Sequence, residues 1–110
     1  MVQTFALAES CLYAIRTMDI QRQEHLKKGA FFIDEGGEWI AELTYTRTDE
    51  NTIVIDHTEV DPKLRGENIG EDLVEAAVAY AREEGLKIKI QCPFAQKVFD
   101  AKPEYQDVLA

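Results

Sequence analysis

The change of pattern at residues 64–71 constrains this chain more than any other feature of its sequence. A β-branched run lies at 53–55, and an amphipathic helix pattern starts at Ile69. Residues 64–71, where the pattern changes, contain Gly66 and Gly70. A glycine-containing turn that leads from a strand into a helix leaves N–H groups unpaired, and the helix dipole adds positive potential there. The turn is therefore predicted to bind an anion, although an ordinary helix start would have the same glycines.

Three strands are predicted before this turn. Ala30–Ile33 is a run of strand formers, and the Asp-Glu-Gly-Gly sequence at 34–37 is typical of a hairpin turn. Trp39–Thr46 alternates between apolar and polar residues and is predicted to be the returning strand. After a turn at 49–51, Thr52–Val60 is predicted to be the third strand. Strands joined by such short turns form an antiparallel meander.

A helix, a strand and a second helix are predicted after the turn. Apolar residues recur at helical spacing from Ile69, and Gly85 is placed to end that helix in the left-handed conformation. Leu86–Ile90 reads as a short buried strand, and Phe94–Ala101 as a helix that ends before Pro103. The order β-β-β-α-β-α predicts one α/β domain with a mixed, mainly antiparallel sheet. The last strand should run parallel to the third, because a helix connects them as a crossover.

Composition excludes several classes of function. The 110 residues allow one small domain, and a net charge of −9 argues against nucleic acid as a partner. The cysteines, Cys11 and Cys92, have neither CxxC spacing nor a nearby histidine, so no metal site is predicted and both thiols are expected to be reduced. No apolar stretch is long enough to cross a membrane, and the start of the chain lacks a positive export signal. These observations predict a cytoplasmic protein without a membrane partner.

The turn and its flanks carry a resemblance to a known family. Arg65 and Gly70 match a phosphate-binding pattern of the form [Q/R]-x-x-G-x-[G/A], with Asn68 where a glycine is usual. Asparagine tolerates the left-handed conformation well, so the turn can keep its shape. The chain thus resembles the GNAT acetyltransferase superfamily, and in particular its compact YjdJ-type members. Further agreement, in order and spacing, comes from His57–Val60, Pro62, Leu64–Gly66, Gly85–Lys87, Cys92–Phe94 and Pro103–Tyr105.

This resemblance covers residues 18–110 and leaves residues 1–17 as an N-terminal extension of unknown role. It implies a GNAT-like acyl-CoA N-acyltransferase fold and acetyl-CoA as the co-substrate. In such a fold the third strand and the last strand should part and open a slot for the acyl-CoA. The turn would hold the pyrophosphate of coenzyme A, and backbone amides of the third strand would pair with the pantetheine arm. The cofactor-binding residues implied in this way are Thr58, Val60, Lys63, Arg65, Gly66, Glu67, Asn68, Ile69 and Gly70.

The resemblance also implies N-acetyltransferase activity, with an amine as acceptor. His57 and Glu59 are candidates for the removal of the amine proton, and by a period of two they should share a face with Ile53 and Ile55. A hydrogen-bonded structural role for His57 is the alternative. Glu42, Tyr45 and Tyr80 are further candidates for proton transfer, but a role as half-buried structural residues is favoured for each.

Cys92 is the remaining catalytic candidate. It precedes Pro93 at the end of the last strand, which in this layout lies beside the thioester, and its thiolate could accept the acetyl group before the amine does. The alternative is a small buried apolar residue, which free cysteines often are. For the whole chain, a non-catalytic acyl-CoA-binding or protein-interaction module is the rival function. Neither the acceptor, a small molecule or a protein, nor the oligomeric state is specified by the sequence.

Overall fold

One mixed sheet and two helices form the architecture of the residues that the structure describes. The computed structural model describes residues 20–64 and 66–110. The sheet has five strands in the order in which they occur along the chain. The strands are β1 (Gln21–His25), β2 (Lys28–Glu35), β3 (Glu38–Asp49), β4 (Thr52–Val60) and β5 (Lys87–Ile90). The helices are α1 (Ile69–Glu84) and α2 (Pro93–Ala101), and 3₁₀ segments lie at Pro62–Leu64 and Pro103–Val108.

The structure confirms the predicted α/β class and most of the predicted elements. β4 has the predicted bounds, Gly85 ends α1 at φ 70°, and β4 and β5 pair in parallel as the crossover requires. Both helices pack on one face of the sheet, where residues such as Leu43, Ile55 and Leu73 form the core with none of their surface exposed. No helix among the described residues is long and apolar enough to span a membrane.

The sequence prediction missed β1, so four strands rather than three precede α1. Gln21–His25 contains no β-branched or apolar residue, and four of its five residues are exposed. Its strand conformation comes instead from pairing with β2 along its whole length. Polar edge strands of this kind have little local signal, because their stability comes from the neighbouring strand.

A polar network ties β1 to the core. The Tyr45 hydroxyl donates a hydrogen bond to Glu24 Oε1 at 2.8 Å and accepts one from Arg22 Nη1 at 2.9 Å. Arg47 lies 3.2 Å from the Glu24 carboxylate and donates to the Tyr80 hydroxyl at 2.8 Å. Burial raises the pKa of Tyr45 to about 12, and the hydrogen bond from Arg47 lowers the pKa of Glu24. Tyr45 is therefore a protonated structural donor at neutral pH.

A β-bulge in β4 determines which side chains face the helices. Tyr45 pairs with Ile55 and Thr44 with His57, so Asp56 is an extra residue in the ladder. The Asp56 carboxylate accepts hydrogen bonds from Thr44 Oγ1 at 2.6 Å and from Thr46 Oγ1 at 2.9 Å. These hydrogen bonds hold the Asp56 side chain on the face opposite the helices, beside the side chain of His57.

Because of the bulge, the candidate base residues His57 and Glu59 do not lie on the face of β4 that the sequence predicted. Ile55 faces the helices and is fully buried, and beyond the bulge Thr58 pairs with Leu43, which is also fully buried. Thr58 and Val60 thus continue the core face. His57 and Glu59 are exposed on the other face and do not share a face with Ile55, because one inserted residue reverses the alternation.

The two parallel strands part after Ile55, as the sequence predicted. Their pairing ends at Ile55 and Ile90, and the N–H of Gln91 makes one last hydrogen bond to the Ile55 carbonyl at 2.9 Å. Pro93 then starts α2, whereas β4 continues to Val60. The far edge of β5 is covered by the end of the described chain, since Leu109 forms a bridge with Ile88 and the N–H of Ala110 donates to the Ile88 carbonyl.

We predict that Gly29→Ala destabilises the fold. Gly29 lies opposite Tyr45 in the ladder, and a Cβ there would come within 2.3 Å of the Tyr45 ring. The ring is 1% exposed, so it cannot move aside. We expect the free energy of unfolding to fall by about 2 kcal/mol in urea titrations, as overpacked cores do. Lys28→Ala, at the exposed neighbouring position, is the control. Equal stability of the two variants would contradict the packing argument.

Candidate functional site

A cleft of about 370 Å³ opens where β4 and β5 part and α1 begins. β4 provides one wall, the N-terminal turn of α1 provides another, and the first turn of α2 lies beside them. Among the described residues, the cleft is lined by Thr58, Val60, Leu64, Gly66, Asn68, Ile69, Gly70, Glu71 and Phe94. Six of these nine were predicted to bind a cofactor, namely Thr58, Val60, Gly66, Asn68, Ile69 and Gly70.

The turn before α1 has the geometry of an anion site. Asn68 precedes the helix in the left-handed conformation at φ 61°, as its position in the pattern predicted, and Gly66 has φ 88°. The Asn68 carbonyl accepts the first helical hydrogen bond, from the N–H of Asp72 at 3.0 Å. The Asn68 side chain makes no capping hydrogen bond, and the first N–H groups of an α-helix have no partner within the helix, so those of residues 69–71 can serve a ligand.

Phe94 closes the cleft against the first turn of α1. Its ring lies so close to Gly70 that a Cβ there would be 2.7 Å from the Phe94 Cζ. The residue is nevertheless 39% exposed, which is unusual for a large apolar side chain of this domain. The sequence analysis missed Phe94 as a lining residue, along with Leu64 and Glu71. The pattern places Phe94 at a helix start but does not indicate that its ring borders a cavity.

Cys92 lies behind the cleft wall. The thiol is free, the residue is 5% exposed, and its Sγ donates a hydrogen bond to Thr58 Oγ1 at 3.4 Å. Thr58 itself lines the cleft, so the thiol is one side chain away from the cavity surface. The thiol contacts Thr58 but is not itself among the described residues that line the cleft.

The two other catalytic candidates lie together on the opposite face of β4. His57 Nε2 is 3.3 Å from Glu59 Oε1, and both side chains are more than half exposed. Glu42 faces Glu59 directly across the β3–β4 ladder. One ligand atom from each of these three side chains lies within 4.8 Å of the others. These three side chains form a polar group outside the cleft, and the end of β4 separates this group from the cleft.

Lys63, a cation expected near the anion site, is not among the described residues that line the cleft. Lys63 Nζ points to Glu35 Oε1 at 3.7 Å, and Glu67 lies in the turn without lining the cleft. Glu71 is the only charged residue among the described lining residues. Backbone N–H groups thus dominate this end of the cleft. Arg65 and residues 1–17, including Cys11, lie outside the described residues.

Comparison with known proteins agrees with this geometry. The GCN5-related N-acetyltransferase family model matches residues 30–108. The zebrafish (Danio rerio) protein NATD1 is 34% identical over 97 residues, which cover 84% of this chain and 88% of that protein. A solution structure of a GCN5-like protein from Staphylococcus aureus has 36% identity and a TM-score of 0.63, and the match covers 84% of this chain and 89% of that one. A GNAT family acetyltransferase from Elizabethkingia anophelis, solved with acetyl-CoA bound, shares the fold at a TM-score of 0.57 and 15% identity, over 77% of this chain and 74% of that one.

Proposed function

This chain belongs to the GCN5-related N-acetyltransferase family, and we propose that it binds acetyl-CoA in the cleft and transfers the acetyl group to an amine. The observation that carries the proposal is the uncapped N-terminus of α1, which opens into a cavity inside the region matched by the family. N–H groups aimed into a cavity at a helix N-terminus are suited to a pyrophosphate. The free thiol of Cys92 is suited to the reducing cytoplasm, where we expect the protein to act.

The rest of the cofactor would follow the end of β4. Residues 57–60 pair with β3 on one side, and after Ile55 no strand of the described chain pairs on the other side. An exposed strand edge offers N–H and C=O groups to an extended ligand. The pantetheine arm contains two amide groups and can pair with this edge as a short strand does. Thr58 and Val60 would then flank the arm, with the Phe94 ring beside it.

In the transfer step, the amine nitrogen attacks the carbonyl carbon of the thioester. The C–N bond forms, the C–S bond breaks, and coenzyme A leaves as the thiol. The attacking amine must first lose a proton, and the groups nearest the strand end on its open face are His57 and Glu59. A backbone N–H of β4 would stabilise the oxyanion of the tetrahedral intermediate. We assign the removal of the amine proton to the His57–Glu59 pair, which would accept it directly or through a water molecule.

Two alternatives make different predictions. In a covalent route, the Cys92 sulfur would take the acetyl group from coenzyme A and pass it to the amine. The hydrogen bond from Cys92 to Thr58 and the burial of Cys92 favour direct attack, with the thiol positioning Thr58.

In the other alternative, the chain is a non-catalytic acyl-CoA-binding or protein-interaction module. Such a module would bind acetyl-CoA without release of thiol in the presence of any amine.

We predict that the protein binds coenzyme A and acetyl-CoA and that Gly70→Ala weakens both. The added Cβ would displace the Phe94 ring into the cleft or out of it, since the two would be 2.7 Å apart. We expect the dissociation constant measured by calorimetry to rise about tenfold, as a steric cost of about 1.4 kcal/mol gives.

The control for this substitution is Ala79→Ser, at an exposed position of the same helix. It should leave both affinities unchanged. Absence of any heat of binding for the unsubstituted protein at millimolar ligand would overturn the proposed function.

We predict that Cys92→Ala retains acetyl transfer within about threefold, because the direct route needs no thiol nucleophile. The measurement is thiol release from acetyl-CoA with a panel of amines, together with intact-mass analysis before the amine is added. Cys11→Ser is the matched control for loss of a thiol. A hydroxylamine-labile acetyl group on Cys92, together with loss of transfer in Cys92→Ala alone, would establish the covalent route instead.

A further inference from the structure

A second cavity, of about 290 Å³, lies on the other side of the end of β4. We call it the outer cavity, and it is lined by residues 39–42 of β3 and residues 59–62 at and beyond the end of β4. Val60 lines both this cavity and the cofactor cleft. The two cavities are therefore separated by a single strand end. A ligand in the outer cavity would lie beside the place where the proposed thioester is held.

The outer cavity is built to hold a positive charge. Glu42 and Glu59 face each other directly across the ladder, and Asp61 lines the same space. Like charges directly opposite each other on neighbouring strands destabilise a sheet, and a cation between them removes that cost. No lysine or arginine is among the described residues that line the cavity, and the nearby Lys63 is paired with Glu35. Glu59 contacts the His57 ring at 3.3 Å, and Asp61 accepts a hydrogen bond from the Lys63 N–H at 3.0 Å. Glu42 makes no hydrogen bond or ion pair with a described residue, so it is the carboxylate most in need of a cation.

An aromatic wall distinguishes this cavity from a purely acidic surface. The Trp39 indole stacks on the Phe32 ring with 4.0 Å between centroids and 9° between planes. This stacking fixes the indole at the cavity, while Trp39 stays 37% exposed. An aromatic ring held beside carboxylates suits an organic ammonium group better than a hydrated metal ion, because the ring face attracts a poorly hydrated cation.

We propose that the acceptor is a short aliphatic diamine or polyamine, with one ammonium group held in the outer cavity between Glu42, Glu59 and Trp39. The inference rests on the proposed acetyl transfer and names its substrate class. The volume of the outer cavity is small for a ligand site, so it suits one end of a thin, flexible molecule. The other amine of the same molecule passes the end of β4 at Val60, loses its proton and attacks the thioester. A monoamine would lack the charge that anchors it.

The proposal is tested first by binding in the absence of coenzyme A. The probes are 1,4-diaminobutane and butylamine, which have the same carbon chain and differ by one amino group. We expect calorimetry to give a dissociation constant for the diamine at least about tenfold below that for the monoamine, as one hydrogen-bonded charge pair would provide. The preference should shrink as salt is raised. Equal affinity for the two probes, or binding of Zn²⁺ but not of the diamine, would overturn the proposal.

Substitutions of residues that line the outer cavity test whether the diamine binds there. Glu42→Gln should raise the dissociation constant and the KM for the diamine about tenfold and leave the affinity for coenzyme A unchanged. Trp39→Leu should weaken diamine binding as well. Glu50→Gln removes the same charge at an exposed turn of the same sheet and is the control. An equal effect of Glu50→Gln and Glu42→Gln would reduce the result to net charge and overturn the assignment.

Product analysis separates this inference from the proposed function. Mass spectrometry should detect a monoacetylated diamine when acetyl-CoA is supplied. If coenzyme A does not bind, the proposed function fails whatever the diamine does. If coenzyme A binds and butylamine is acetylated as efficiently as the diamine, acetyl transfer stands and the substrate class is wrong.

Discussion

One inserted residue in β4 determines the layout of the whole site. Without the bulge, strict alternation from Ile55 would place His57 and Glu59 among the buried side chains under the helices and would turn Thr58 and Val60 outward. The bulge reverses this arrangement beyond Ile55, and the hydrogen bonds of Asp56 to Thr44 and Thr46 hold it in place. The wall of the cleft and the exposed His57–Glu59 pair are thereby placed on opposite faces of the same strand end.

The sequence was informative wherever one periodicity decides an element. The bounds of β4, the start of α1 and the left-handed residues Asn68 and Gly85 all followed from local patterns. Each of these depends on residues that are close together in the chain. The residues that line the cleft around Asn68 were predictable for the same reason, since one turn supplies most of them.

Other features could not be predicted because they depend on distant partners. β1 adopts its strand conformation because it pairs with β2 and because Glu24 accepts hydrogen bonds from Tyr45 and Arg47. Both of these residues are more than twenty positions away in the sequence. The bulge at Asp56 is stabilised by two threonines of the neighbouring strand, so the β4 sequence read alone gives the wrong face for His57. Phe94 borders the cleft only because α2 folds back onto Gly70.

The bridge from Leu109 and Ala110 to Ile88 also matters for the behaviour of the protein in solution. A strand at the edge of a sheet presents unpaired N–H and C=O groups that can recruit a strand from another molecule. Here the far edge of β5 is occupied by a few residues that arrive late in the chain. Loss of Leu109 and Ala110 by proteolysis would therefore expose this edge and put the protein at risk of self-association through strand pairing.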